Sequence, residues 1–299
     1  MEKYSLYRDE STGIAPFYMP KSNPNNSNKF IHAALVVYSV ITTTLAMICL
    51  GLYFLVLDKI LPEFLAEVVM TWILLIPLRV FNVKLTYENE KKASVRKRSI
   101  IKANPGDIIL SNFVSPLDAF VYRSFRRTIF AFPTKDGLFE ISSAFKAMKR
   151  ALAENNDYSK KQSLEEISNY AKERNSVVVV FVEGTTSNGK GLLTLKNLDY
   201  KNIAKVEGNV FTSAIKYNPQ YAASPLPCSL LSYIWNTSCA SWWYIANVKI
   251  SSEPMAKSQI SLDLIGKDIC RLGHLRLLSD RLDFNTKLEY LNEIRSKRH

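Results

Sequence analysis

Histidine is scarce in this chain: three in 299 residues, His32, His274 and His299, widely separated. A mechanism that needs imidazole has almost nothing to draw on. Cysteine is scarce too. Cys49, Cys228, Cys239 and Cys270 show no C-x-x-C spacing and no companion histidine, so no metal site and no disulfide framework is expected. Acid is in deficit, with 27 Asp and Glu against 39 Lys and Arg, a net charge of +12. That balance favours acidic partners: lipid headgroups, phosphate-bearing substrates or nucleic acid. No recognised nucleic-acid motif accompanies the charge, so nucleic acid is not an expected partner. Repeats and functional low-complexity segments are absent. With 47% hydrophobic and 22% charged residues, the chain carries enough apolar material for a core, and intrinsic disorder is not expected.

Three parts follow from the pattern. Residues 1–29 are polar, with Pro20, Pro24 and an Asn/Ser run, and read as a mostly unstructured tail. Residues 30–83 read as a membrane segment. Within it Ile31–Leu57 holds no Lys, Arg, Asp or Glu; as a helix it would reach roughly 40 Å, beyond the ~30 Å of a bilayer core. A second apolar run, Leu65–Phe81, carries Glu67 and Arg79 near its ends. It spans only if those charges sit at headgroup depth; otherwise it lies flat in the interface or returns as a hairpin. The basic stretch Lys84–Lys102 puts the following domain, residues 84–299, on the cytosolic side. The sequon at Asn25 stands against a cytosolic tail if it carries a glycan.

From about residue 105 strands alternate with helices. The pattern predicts strands at Asp107–Leu110, Thr128–Phe132, Val177–Val182, Val210–Lys216 and Tyr244–Ile250. It predicts helices at Pro116–Arg126, Ile141–Ala153, Ser163–Glu173 and Phe284–Arg295, the third opened by a capping box, Ser163 to Glu166. Val177–Val182 is a β-branched run of the kind buried on both faces. The expected fold class is α/β: a largely parallel central sheet covered by helices, preceded by a transmembrane or hairpin helical segment.

Two of these strands end in chemistry-capable residues. Ser111–Phe120 reads SNFVSPLDAF, and Val177–Lys190 reads VVVVFVEGTTSNGK. Ser115, Pro116 and Asp118 make a helix-start signal with no function required. A helix start at a sheet's carboxyl edge also faces the place where open α/β sheets bind ligands. Glu183 follows a buried strand directly, and a carboxylate there must be paired, hydrated or functional. The stretch Gly184 to Lys190 nearly matches a phosphate-binding loop, but Gly191 stands where Ser or Thr would bind magnesium. Three of the four tryptophans fall in Leu230–Tyr244, either an interfacial aromatic patch or core packing.

These two segments resemble the signature blocks of the glycerophospholipid acyltransferases, N-H-x-S-x-x-D and F-P-E-G-T-R-S. Asn112, Ser115 and Asp118 fall in register with the first; Phe181, Glu183, Gly184, Thr185 and Ser187 fall in register with the second. The resemblance covers roughly residues 85–250 and is strongest to a fungal oleoyl-CoA-dependent lysophosphatidate subgroup, which also lacks the histidine and has cysteine there. It implies a membrane-bound enzyme that acylates lysophosphatidic acid to phosphatidic acid, with acyl-CoA as co-substrate and no cofactor or metal. The implied place is the endoplasmic reticulum membrane or a lipid droplet, with the α/β domain in the cytosol. Asp118, Ser115 and Asn112 are the implied catalytic group; Glu183, Gly184, Thr185, Thr186, Ser187 and Lys190 are the implied acceptor pocket. Three departures stand out: Phe113 replaces the histidine, Val182 the proline and Thr186 the arginine. Arg150 is the nearest basic candidate for the family's intermediate block. A catalytically inactive relative that binds or scaffolds lipid surfaces fits the same departures.

Overall fold

A computed structural model of the chain describes residues 5–20, 29–52, 75, 78–88, 101–153 and 161–296. Its ten strands, among the described residues, are β1 Val80–Tyr87, β2 Ile108–Ser111, β3 Thr128–Pro133, β4 Phe139–Ser142, β5 Lys161–Gln162, β6 Val177–Phe181, β7 Gly191–Leu192, β8 Val210–Asn218, β9 Tyr244–Ile250 and β10 Arg276–Leu277. The helices are α1 Lys29–Leu52, α2 Asp118–Arg123, α3 Ala144–Ala153, α4 Leu164–Glu173, α5 Tyr200–Lys205, α6 Leu230–Ala240, α7 Leu262–Gly273 and α8 Phe284–Ser296.

Eight strands form one sheet in the order β1-β9-β8-β2-β6-β3-β4-β5. Its centre, β8-β2-β6-β3, is parallel throughout. The α/β fold with a mostly parallel central sheet therefore stands. Strand β6 shows why its sequence is a continuous Val run. Val177, Val179 and Phe181 enter one core, while Val178 and Val180 enter the core on the other face. Every residue of β6 is fully buried, as a period-2 strand covered on both sides requires. The capping box of α4 forms as the sequence predicts, with Ser163 and Glu166 exchanging side-chain and backbone bonds. Ile141–Ala153 divides: its start is strand β4, and the helix begins only at Ala144.

Two N-terminal expectations change. Residues 5–20 are packed rather than loose. Phe17 is fully buried in a small core with Tyr7, Leu193, Leu278, Leu282 and Tyr290. Asp9 holds this strap down, accepting from Ser279 N–H at 2.9 Å. The spanning helix over Ile31–Leu57 is also not met. Among the described residues no helix is long and apolar enough to cross a membrane. Residues 53–57 and most of the second apolar run lie outside the described residues.

Arg79 explains why α1 is not apolar all round. A spanning second run requires the guanidinium at headgroup depth; it is fully buried among protein groups. It donates to the hydroxyls of Ser39 and Thr42 on α1, at 3.1 and 3.3 Å. It also donates to the Ser238 and Ser241 carbonyls at the end of α6, at 2.8 and 2.7 Å. A cation there satisfies orphan carbonyls and the negative end of the helix dipole. Arg79→Met removes all four bonds while keeping much of the volume. Hydrogen exchange in α1 is expected to quicken at least about ten-fold while β2 and β6 stay protected. Equal protection throughout would show that other contacts dock α1.

Candidate active site

The two signature segments leave neighbouring strands of the sheet. Ser111, the last residue of β2, pairs in parallel with Phe181, the last of β6. Both chains therefore emerge at the same carboxyl edge, and their next residues meet. Phe113 N–H donates to Glu183 Oε2 at 2.8 Å. Leu193 N–H donates to Glu183 Oε1 at 2.9 Å. Glu183 is thus a buried clasp between the segment after β2, the turn after β6 and the residue that follows β7. Burial pushes its carboxyl up to about 7 against the pull of these two amides, and the charge of Asp118 adds to the rise.

Asp118 is built in the same way. Val114 N–H and Ser115 N–H donate to Oδ2 at 2.7 and 3.0 Å, and the Tyr217 hydroxyl donates to Oδ1 at 2.7 Å. The helix start predicted from Ser115 and Pro116 is realised with roles reversed. Asp118 reaches back to the amides of Val114 and Ser115 rather than Ser115 alone capping forward, and regular helix begins only at Asp118. Full burial lifts the Asp118 carboxyl to about 7, against those three donors. The Ser115 hydroxyl meets the Tyr233 hydroxyl at 2.9 Å. Asn112 is spent on the sheet: its side-chain amide donates to the Ile215 carbonyl at 3.1 Å and accepts from Ile215 N–H at 2.8 Å.

The turn after β6 is gathered by cations from distant elements. Gly184 takes φ 68°, a conformation that glycine adopts without strain. Its carbonyl accepts from Arg150 Nε of α3 at 3.3 Å. Arg150 also pairs with Glu140 and lies 4.4 Å over the Phe132 ring. Lys287 of α8, only 1% exposed, reaches the Thr185 hydroxyl at 2.8 Å and the Thr186 carbonyl at 2.9 Å. Thr186 in turn donates to the Ser224 carbonyl at 2.7 Å. Ser187 turns its hydroxyl towards Glu183 without reaching hydrogen-bond geometry.

The sequence as a whole is similar to named proteins. No family model matches the chain. A Saccharomyces cerevisiae protein, lysophosphatidic acid:oleoyl-CoA acyltransferase 1, is 26% identical over an alignment 326 positions long that covers 100% of both chains. A Schizosaccharomyces pombe protein provisionally named for the same activity is 27% identical over an alignment 318 positions long, again with 100% of both covered. The chain resembles the fungal lysophosphatidic acid:oleoyl-CoA acyltransferases from end to end. A solved structure, the 1-acyl-sn-glycerophosphate acyltransferase of Thermotoga maritima, is 15% identical with a TM-score of 0.38, covering 82% of this chain and 96% of that one.

Within this acyltransferase-like frame the departures have a physical context. Phe113 is buried against Phe181 and Phe132, with ring centroids 4.4 and 5.4 Å away. Its ring belongs to the core, and its backbone serves the polar block: the N–H donates to Glu183 and the carbonyl accepts from Ser187 N–H at 3.0 Å. Lys190 is exposed, so the one cation predicted within the second segment stands outside the cluster. Three contributors were not predicted as site residues. Tyr217 lies on β8, Tyr233 on α6 and Lys287 on α8, each far along the sequence from the residue it holds. A lysine in a basic C-terminal helix carries no sequence signal that distinguishes it from a solvated one. Cavity volume is no better a guide. A cavity of about 310 Å³ lined by Tyr87, Lys102, Asn209 and Phe211 opens at the amino ends of β2 and β8, the edge opposite Asp118 and Glu183.

Proposed function

We propose that this chain transfers an acyl group from acyl-CoA to the free glycerol hydroxyl of lysophosphatidate, yielding phosphatidate. One observation carries the reading: the Phe113–Glu183 hydrogen bond joins the two acyltransferase-like segments into a single polar block at the strand edge. End-to-end similarity to proteins named for this reaction supports the same substrates. In the transfer, the acceptor oxygen bonds to the thioester carbonyl carbon and the carbon–sulfur bond breaks. The hydroxyl proton ends on the departing thiolate or on water. Phe113 accepts no proton, so the roughly 10²–10⁴-fold contribution of a general base is not available from that position. Rate comes instead from holding two substrates in register, which supplies effective molarities of about 10⁵–10⁸ M in well-oriented systems. Asp118, Ser115 and Asn112 hold the edge in shape; Gly184, Thr185, Thr186 and Ser187 form the acceptor side.

We place the reaction at a lipid surface. One face of α1 leaves Val37, Ile41 and Ile48 more than half exposed, and Leu231 on α6 and Trp243 just after it are exposed too. Tyr38 of α1 stacks on Trp242 at 5.7 Å, which joins the two regions. A membrane-attached enzyme with its α/β domain in the cytosol, on endoplasmic reticulum or lipid droplet, fits this face and the net charge of +12. The test is oleoyl transfer by the purified protein to lysophosphatidate, with lysophosphatidylcholine and monoacylglycerol as competing acceptors. Phosphatidate as the main product supports the reading; transfer to no acceptor contradicts it.

A second reading rests on Phe113 and on the full hydrogen-bonding of Asp118: a lipid-surface binding protein without turnover. Phe113→His separates the two. Placing imidazole in the Phe132/Phe181 cluster is expected to destabilise the fold by about 1–3 kcal/mol. With Tyr217 still on Asp118, any turnover is expected to rise less than about ten-fold. Lysophosphatidate binding to vesicle-bound protein with no transfer by either form would favour the second reading.

A further inference from the structure

The two signature segments touch at more places than the Glu183 clasp. Ser187 N–H donates to the Phe113 carbonyl at 3.0 Å. Gly189 lies against Val114: a Cβ built on it would meet Val114 Cγ1 at 2.9 Å, and its φ of 71° also favours glycine. Val114 N–H is in turn one of the donors that fix Asp118 Oδ2, at 2.7 Å. The far end of the second segment therefore sits directly against the residue that orients the carboxylate of the first.

Asn188 lies between these two contacts, and the N-terminal strap holds it. Its side chain is buried. Its N–H donates to the Pro16 carbonyl at 2.9 Å, and its side-chain amide donates to the Ala15 carbonyl at 2.8 Å, 173 residues away along the chain. Its Oδ1 accepts from Lys190 N–H at 3.1 Å, so the same side chain also shapes the turn through Gly189. The strap's acceptors are backbone carbonyls, and the amide is the donor they need. Those carbonyls are fixed from both directions. Upstream, Asp9 accepts from Thr12 N–H at 2.8 Å and from Ser279 N–H at 2.9 Å. Downstream, Phe17 is fully buried and stacks on Tyr290 of α8 at 5.8 Å.

We infer that Asn188 is a positioning residue: through it the strap, residues 5–20, holds the two signature segments in register and so fixes where Asp118 sits. The inference rests on the acyl-transfer reading for the rate that it governs, but not for the register itself. Asn188 acts through Gly189 and Val114. Where catalysis comes from holding two substrates in register, a shift of about 1 Å at such an edge costs about 10²-fold in rate.

The test uses the full-length, detergent-solubilised protein, assayed below the melting range of every form. Asn188→Ala removes the side-chain amide and keeps the backbone bond to Pro16. Phe17→Leu loosens the strap at its other anchor. Each is expected to lower kcat about ten-fold or more, with the KM for both substrates within about three-fold of wild type. The double variant should be no more than about two-fold slower than the slower single one, because both changes act through one strap. A kcat within about two-fold of wild type in folded Asn188→Ala, or losses that multiply in the double variant, would overturn the inference. If Asn188→Ala does not fold, Phe17→Leu is read alone, and an unchanged kcat there counts against it. Hydrogen exchange separates the register from the reaction. The Val114 and Ser115 amides should exchange at least about ten-fold faster in Asn188→Ala while the amides of β6 stay protected. That result with an inactive wild type keeps the inference without the reaction. Unchanged exchange at Val114, or equal quickening in β6, ends it.

Discussion

Glu183→Ala is expected to abolish acyl transfer and to lower the melting temperature by roughly 5–15 °C. The carboxylate is the shared acceptor for Phe113 N–H and Leu193 N–H, both buried. Each amide left without a partner costs about 1–3 kcal/mol, and the vacated volume adds to that. In a domain this large about 1 kcal/mol corresponds to a shift of roughly 2–4 °C. Glu183→Gln retains one acceptor oxygen and should fall between wild type and alanine. The pH dependence provides a second signature. Glu183 titrates from 4.5 in a free carboxyl to about 7 when folded, and Asp118 from 3.8 to about 7. Between about pH 4 and 7 the folded protein therefore holds protons that the unfolded chain releases. Stability is fullest below that window and declines as pH rises through it. Asp9 and Asp283 move the other way: donors outweigh burial, and their contribution is lost only at lower pH. Melting temperatures read from pH 5 to 8 should fall with pH in wild type and fall less in Glu183→Gln. A flat wild-type profile would mean that the clasp stays ionised throughout.

Asp118→Asn is expected to cut transfer roughly 10²-fold or more, the scale of misplacing by about 1 Å the edge that holds two substrates in register. Asparagine offers one acceptor oxygen where Val114, Ser115 and Tyr217 supply three donors. Its amide must confront at least one of them. Because the carboxyl sits at about 7, wild-type transfer should rise with pH and bend near 7 as the carboxylate forms. The asparagine variant should lose that limb. Tyr217→Phe isolates one bond from the rest: it frees Oδ1 without disturbing the two amides. Turnover by Asp118→Asn at the wild-type rate would remove Asp118 from the site.

The sequence made the centre of this site legible and hid its rim. The Val177–Phe181 run, the capping box of α4 and the polar residues closing β2 and β6 all report local physics: period-2 burial, helix capping and a change from apolar to polar at a strand end. Those signals lie within a few residues of each other. The Glu183 clasp was foreshadowed by the cost of leaving a buried carboxylate without partners. The partners of Asp118, Ser115 and Thr185 were not. Tyr217, Tyr233 and Lys287 are brought in by strand order and helix docking, which no local pattern encodes. Strand β1 was hidden for a related reason: its apolar start continues the hydrophobic run before it, and only pairing with β9 distinguishes sheet from membrane segment. Arg79 misled similarly. A lone charge at the end of an apolar run suits a lipid interface, but it suits the carbonyl end of α6 equally well. The N-terminal strap is polar on average and still folds, because Phe17 and Tyr7 pack on a small face made by Tyr290 of α8 together with Leu193, Leu278 and Leu282.

The most direct test of the central claim, one acyl-transfer site built from both segments without a histidine, is a single-turnover measurement. Purified wild type and Glu183→Ala would be mixed in excess over isotopically labelled oleoyl-CoA with saturating lysophosphatidate, and labelled phosphatidate followed by mass spectrometry. Labelled phosphatidate formed by wild type and lost in the folded Glu183→Ala protein is the predicted result. Equal formation by both, or none by a folded wild type that binds both substrates, would contradict it.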